Sequence, residues 1–195
     1  LSQSASQPDY RNMLTQDVNV CDYVDNRGVS QVWLWGYHTA KIYPVESDMS
    51  MGTDSRAYWN FGSYGDISNS SRIDDMPTCR KTYTLYNYNY GRGLGELLED
   101  HGHQIEALYR WLDVSLWGNF VNPHGLTDGT VNRCGWTHSP PNVTDANQYY
   151  WNSPTQVQSD CEDWRPEGVG EVKTVSCTTW YNSTTCPDDG GVSFK

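Results

Sequence analysis

The sequence predicts an α/β fold with a small central sheet, one main helix and a disulfide-rich loop cap. Two segments rich in aromatic and β-branched residues, 30–38 and 80–89, have the composition of strands. The segment 94–113 has good helix formers, no proline and regularly spaced apolar residues. Between the two strands, 39–75 has the composition of a long loop. We therefore predict one domain over the whole chain, with a loose N-terminal segment and a loop-rich, disulfide-stapled C-terminal part (1–195, 1–20 and 122–195).

The cysteines and glycosylation motifs indicate export into an oxidising compartment. The chain has six cysteines, an even number without C-x-x-C spacing, which favours three disulfides of open connectivity over a zinc ribbon. They are Cys21, Cys79, Cys134, Cys161, Cys177 and Cys186. Three N-x-S/T motifs, at Asn69, Asn142 and Asn182, are predicted glycosylation sites. We expect a secreted, extracellular glycoprotein.

Charge and composition exclude some partners. The chain of 195 residues has a formal net charge of −11, which repels nucleic-acid phosphates and anionic membrane surfaces. No apolar run approaches the roughly 20 residues of a membrane span. The acidity favours either simple solubility or a cation site, and composition alone leaves both open.

The predicted helix carries an acidic row. Glu96, Glu99, His103 and Glu106 follow one another at intervals of three or four residues, so they lie on one stripe of a helix. Carboxylates and an imidazole are suitable ligands for a divalent metal such as zinc or calcium, or for acid–base chemistry. The alternative is the solvated face of an amphipathic helix, because the apolar residues centre on the opposite side. That apolar set comprises Leu94, Leu97, Leu98, Ile105, Leu108 and Leu112.

The motifs N-Y-G-R-G-L-G-E-L-L-E-D-H-G-H-Q-I-E and C-G-W-T-H-S-P-P-N resemble those of a family of large, uncharacterised extracellular microbial proteins. The resemblance spans roughly residues 30–165 and includes Glu46. It implies that the acidic row from Glu96 to Glu106 has a functional role and that His101 faces the core. It implies no particular reaction. The chain lacks an upstream α/β segment and a C-terminal His/Trp-rich segment of that family, as a shortened relative would.

These patterns lead to one functional hypothesis with named residues. We expect a metal-assisted hydrolase that acts on an extracellular glycan or peptide. Glu99 and His103 are the predicted metal ligands, together with His138 in its proline-flanked loop. Glu96 or Glu106 is the predicted general base, and Glu46 orients substrate or completes the metal site.

The alternative is a non-catalytic glycoprotein, either a carbohydrate-binding module or a structural subunit that self-assembles into a fibre. Aromatic rings on loops stack on sugars. A surface of this kind is available only if the aromatic side chains do not pack the sheet instead. The set in question is Tyr83, Tyr86, Tyr88, Tyr90, Tyr149, Tyr150 and Trp151.

Overall fold

The computed structural model of the chain divides into two compact units, Leu1–Leu112 and Asp113–Lys195. Its described residues are 8–36, 44–55, 66–68, 75–112, 137, 140–142, 151, 156–159, 171–180 and 184. Helices and mixed sheets make up these regions, in agreement with the predicted α/β class. No helix in them combines the length and apolar character needed to cross a membrane.

A four-stranded mixed sheet organises the first unit, in the order β1-β4-β2-β3. The strands are β1 (Gln31–Gly36), β2 (Ser47–Ser50), β3 (Asp66–Ser68) and β4 (Tyr83–Asn89). β4 is parallel to β1 and antiparallel to β2, and β2 is antiparallel to β3. β4 lies between β1 and β2, and most of its side chains are buried.

Short helices at the N-terminus cover one face of this sheet. They are α1 (Tyr10–Asn12), a π-helical turn (Met13–Asp17) and α2 (Val20–Arg27). Their apolar side chains form a core with alternate residues of β4. The buried members are Tyr10, Leu14, Val20, Val24, Val45, Met76, Cys79, Tyr83 and Leu85. The Cys21–Cys79 disulfide joins α2 to the segment that leads into β4.

The long helix α3 (Leu94–Leu112) packs against β4, β2 and β3. Among the described side chains, the apolar contacts beneath it are few: Met49, Met51 and Ile67 of the sheet region meet Ala107, with Leu108 at the edge. This small cluster lies towards the C-terminal half of the helix, so polar residues fill much of the contact nearer the helix start.

The second unit contains a two-stranded antiparallel sheet and a short helix. The elements are β5 (Val157–Ser159), β6 (Lys173–Val175) and α4 (Cys177–Trp180). Trp151, Val175, Cys177 and Trp180 form their buried cluster. Cys177 is disulfide-bonded, and no free cysteine occurs among the described residues. The loop cap predicted for 122–195 falls mostly outside them.

In the first unit, the sequence predicted three main elements and missed two strands. β1, β4 and α3 lie within the predicted segments 30–38, 80–89 and 94–113. The prediction of a loop over 39–75 was wrong where β2 and β3 form. Both strands are short, and their sequences S-D-M-S and D-I-S have little β propensity, so pairing with β4 and with each other decides their conformation.

We predict that removing the Cys21–Cys79 disulfide destabilises the first unit. The bridge spans 58 residues of sequence, and closing a loop of this size restricts the unfolded chain. The double variant Cys21→Ala/Cys79→Ala should lower the free energy of unfolding by roughly 2–5 kcal/mol. Denaturant unfolding monitored by tryptophan fluorescence measures this change. An unchanged unfolding midpoint would contradict it.

Candidate metal centre

The candidate site lies where β4 ends and α3 begins. Open α/β sheets commonly bind ligands beyond the carboxyl ends of their parallel strands. The turn after β4 needs Gly93, whose φ of 76° is in the left-handed region that disfavours other residues. Glu46 reaches the same place from the start of β2, because its backbone carbonyl accepts a hydrogen bond from the N–H of Asn87 in β4.

His103 is the centre of the first group of side chains. Its Nδ1 donates a hydrogen bond to Glu106 Oε2 at 3.2 Å. On the other side of the ring, Nε2 lies 3.4 Å from Glu46 Oε2 and 3.9 Å from Glu99 Oε1. The imidazole is therefore surrounded by three carboxylates, one from the sheet and two from α3.

Arg92 pairs with two buried carboxylates on the first turns of α3. Its Nη1 lies 2.7 Å from Glu96 Oε2, and its Nη2 lies 3.1 Å from Glu99 Oε2. Each contact engages one carboxylate oxygen. In the case of Glu99 this leaves Oε1 directed towards His103.

Asp100 is completely buried in the site. Its exposed fraction is 0%, against 1% for Glu96 and for Glu99. Neither oxygen of Asp100 has a hydrogen-bond partner in the described part of the chain. A buried polar group without such a partner is costly, and a charged one more so.

The pKa values of these groups report a strongly negative local potential. Burial, followed by the neighbouring charges of Glu46, Glu96 and Glu99, raises the pKa of Asp100 to about 9. Burial also raises the pKa of Glu96, which Arg92 partly offsets. Burial opposes a charge on His103, but its contacts with Glu106, Glu99 and Glu46 outweigh that effect and raise its pKa to about 10. Protons or other cations are therefore favoured here.

Two overlapping groups at this site could hold a metal ion. The first comprises Glu46, Glu99 and His103, and the second comprises Glu46, Glu96 and Asp100. In each group, one ligand atom per residue lies within 4.8 Å of those of the others. An imidazole with carboxylates suits zinc or manganese, whereas calcium prefers oxygen ligands only.

A third acidic group was not predicted from the sequence. Asp48, Asp66 and Asp75 are all buried, and their carboxylate oxygens also lie within 4.8 Å of one another. Asp66 Oδ2 accepts a hydrogen bond from the N–H of Met76. The three aspartates come from β2, β3 and the segment after β3, inside the region predicted as a loop. Sequence spacing therefore gave no signal that they meet.

Glu96 and Glu99 of the acidic row are buried, whereas part of the apolar set of α3 faces solvent. Leu94 is 72% exposed, and Leu98 and Ile105 are also exposed. The solvated-face interpretation of Glu96 and Glu99 therefore does not apply. His101, which the resemblance implies to face the core, is partly buried, and its Nδ1 donates a hydrogen bond to the carbonyl of Leu97 at 2.8 Å. It also stacks on Tyr86, with ring centroids 4.1 Å apart.

The exposed aromatic surface differs from the one suggested by the sequence. Tyr83, Tyr86, Tyr88 and Trp151 are buried, as the packing alternative requires. Among the described residues, the exposed rings are Tyr23 of α2, Trp33, Trp35 and Tyr90. Both tryptophans belong to β1 and pack against Tyr88, which α3 contacts through His101. Their alternation along an edge strand was visible in the sequence, but it equally suited a buried position.

Other predicted residues lie outside the described part of the chain. They are His138, Asn69, Asn182, Tyr149, Tyr150, Cys134, Cys161 and Cys186. Asn142 lies among the described residues and is buried. Its side chain would therefore have to reach solvent before a glycan could be attached. The structure thus brings together Glu46, Glu96, Glu99, His103 and Glu106.

Comparisons with known proteins assign no family and no function to the chain. A scan against protein-family models and searches of curated proteins and of solved structures found no match. The resemblance noted from the sequence motifs therefore stays a prediction.

We predict that the metal-free protein loses stability as pH rises through the neutral range. Asp100 holds its proton in the folded state up to a pKa of about 9, far above its unfolded value of 3.8. His103 holds its proton in the folded state up to a pKa of about 10, against an unfolded value of 6.5. The folded state binds more protons across these intervals, so their stabilising contribution declines as pH rises. Below pH 6.5, only Asp100 contributes to this decline.

Thermal unfolding in a chelator, measured from pH 4 to 9, tests this effect. Asp100→Asn should gain stability relative to the unsubstituted protein as pH rises. Asp17→Asn removes an exposed carboxylate of the N-terminal segment and serves as the control. Its curve should parallel that of the unsubstituted protein. Parallel curves for Asp100→Asn as well would contradict the prediction.

Proposed function

We propose that this protein is a secreted, divalent-metal-dependent hydrolase that cleaves amide or ester bonds in an extracellular polymer. The convergence of Glu46, Glu99 and His103 carries this proposal. Three protein ligands of this kind are the common set of catalytic metal sites, which leave further coordination positions for water and substrate. A metal ion held by these residues would lower the pKa of a coordinated water and polarise a carbonyl group.

The surrounding side chains support a catalytic geometry. Glu106 accepts a hydrogen bond from the Nδ1 of His103, and this fixes the ring with Nε2 towards Glu46 and Glu99. Arg92 holds Glu99 through Oε2 and leaves Oε1 for the metal. Both candidates for general base are engaged: Glu96 is ion-paired with Arg92, and Glu106 is bonded to the Nδ1 side of the His103 ring, away from Glu46 and Glu99.

Access to the site supports catalysis over a purely structural role. Glu96, Glu99 and Asp100 form a buried floor, while Glu46 retains 20% side-chain exposure. The side chains of His103 and Glu106 are also partly exposed. Water and substrate can therefore approach from the side of Glu46, whereas a closed structural metal site is shielded from solvent.

The aromatic surface supports a glycan as the polymer. Trp35 is 60% exposed, and Trp33 and Tyr90 are exposed beside it. Tyr90 lies two residues before Arg92, and its N–H bonds to the carbonyl of Gly36 at the end of β1. The end of β1 therefore lies next to the turn that carries Arg92. An acyl substituent on a sugar, bound as an ester or amide, combines both requirements: ring stacking and an electrophilic carbonyl.

We predict that chelator-treated protein binds Zn²⁺ or Mn²⁺ and that ligand variants lose this binding. Glu99→Gln and His103→Ala should weaken the affinity by more than about 100-fold, because each removes a direct ligand. Glu106→Gln should weaken it by roughly 10–100-fold, since this residue acts through His103. Isothermal titration calorimetry measures these affinities, with Asp17→Asn as the matched carboxylate control.

We predict that hydrolysis depends on the bound metal. Acylated oligosaccharides and peptides, assayed by release of the acid or amine, should be cleaved only after metal is restored. At saturating metal, a remaining loss of kcat in Glu106→Gln would support its role as general base. Unchanged metal binding in both Glu99→Gln and His103→Ala would refute the proposed site.

A second candidate function, glycan binding without catalysis, is supported by the exposed tryptophans alone. We predict that Trp35→Ala weakens retention on an acylated polysaccharide about tenfold, which corresponds to about 1.4 kcal/mol. Tyr23→Ala removes an exposed aromatic ring from α2 and is the control. Retention that depends on Trp35, in a protein that binds no metal and cleaves nothing, would favour this second function. Retention unaffected by Trp35→Ala would argue against the aromatic surface.

A further inference from the structure

Glu46 belongs to both groups of metal-ligating side chains at the start of α3. One group contains Glu99 and His103, and the other contains Glu96 and Asp100. A carboxylate has two oxygens, so one glutamate can contact two ions at once. The proposed hydrolase site uses only the first group and leaves the second without a function.

The helix presents these ligands as two adjacent pairs. Glu96 and Asp100 are four residues apart, and so are Glu99 and His103. Residues at this spacing are neighbours on a helix surface. Glu46 completes each pair from the sheet side, since it is within ligand distance of both. The arrangement provides two three-residue groups side by side.

Asp100 gives independent support for a ligand in the second group. The residue is completely buried, and neither carboxylate oxygen has a hydrogen-bond partner among the described residues. Its oxygens nevertheless lie within 4.8 Å of ligand atoms of Glu46 and Glu96. A buried carboxyl group without a partner costs free energy unless a ligand binds it, and these neighbours select a cation.

We propose that a second divalent cation binds between Glu46, Glu96 and Asp100, with Glu46 as the bridging carboxylate of a two-metal centre. The proposal rests on the proposed function, because Glu46 is shared with the first site. The ligands of the second position are all oxygens, which selects a hard cation such as Mg²⁺ or Mn²⁺. Paired ions about 3.5–4 Å apart stabilise both the attacking and the leaving oxygen in hydrolysis.

Mn²⁺ is the probe, because it accepts both ligand sets. Calorimetric titration of the chelator-treated full chain should give two ions per chain. Asp100→Asn should reduce this to one and leave the other affinity within about threefold of its original value. His103→Ala should lose the first ion instead, and Glu46→Gln should weaken both. Asp17→Asn should bind as the unsubstituted protein does.

Electron paramagnetic resonance of the Mn²⁺-loaded protein provides a second measurement that needs no variant. Two ions bridged by Glu46 should give an exchange-coupled multiline spectrum, and Asp100→Asn should give the six-line spectrum of isolated Mn²⁺. Circular dichroism shows whether the variant is folded. If it is not folded, the spectrum of the unsubstituted protein alone tests the proposal.

The outcomes separate this proposal from the proposed function. One ion per chain, with a six-line spectrum and no effect of Asp100→Asn, overturns the two-metal centre and leaves the hydrolase site intact. Binding of no ion at all overturns both. Two ions that persist in Asp100→Asn overturn the assignment of the second position to this residue.

Discussion

The first unit depends on one unusual constraint: α3 buries its acidic side against the sheet and leaves some of its apolar side chains, such as Leu94 and Leu98, exposed to solvent. Burying Glu96, Glu99 and Asp100 beside one another is unfavourable unless positive charge accompanies them. Arg92 supplies a part of that charge, and the imidazole of His103 supplies another when protonated. Protons on Asp100, or bound cations, complete the compensation. The same constraint that makes this packing costly makes it suited to binding metal.

The rest of the fold holds this constraint in place. β4 is central to the sheet, and its backbone N–H at Asn87 fixes Glu46. Gly93 allows the sharp turn from β4 into α3. The N-terminal helices and the Cys21–Cys79 disulfide stabilise the opposite face, where the largest apolar cluster of the described residues lies. The largest apolar cluster and the candidate metal site therefore lie on opposite faces of one sheet.

Some elements of this fold are predictable from the sequence, and others are not. Long, strongly patterned segments predicted β1, β4 and α3, because periodicity and aromatic content are local properties. The short polar strands β2 and β3 had no such signal and form through pairing. For that reason the acidic group of Asp48, Asp66 and Asp75 was invisible in the sequence. Asp100 was also not predicted as a site residue, because it directly follows Glu99 in sequence and is not a member of the predicted row of Glu96, Glu99, His103 and Glu106.

The sequence by itself determined which residues share a stripe of α3, since the helical repeat places Glu96, Glu99, His103 and Glu106 together whatever surrounds them. It left two orientations open, because a helix with one acidic and one apolar side can turn either of them to a sheet. Only the tertiary structure decided between them. The carboxylates meet Glu46 and Arg92 underneath the helix, and these partners come from β2 and the β4–α3 turn, which are brought together only by folding.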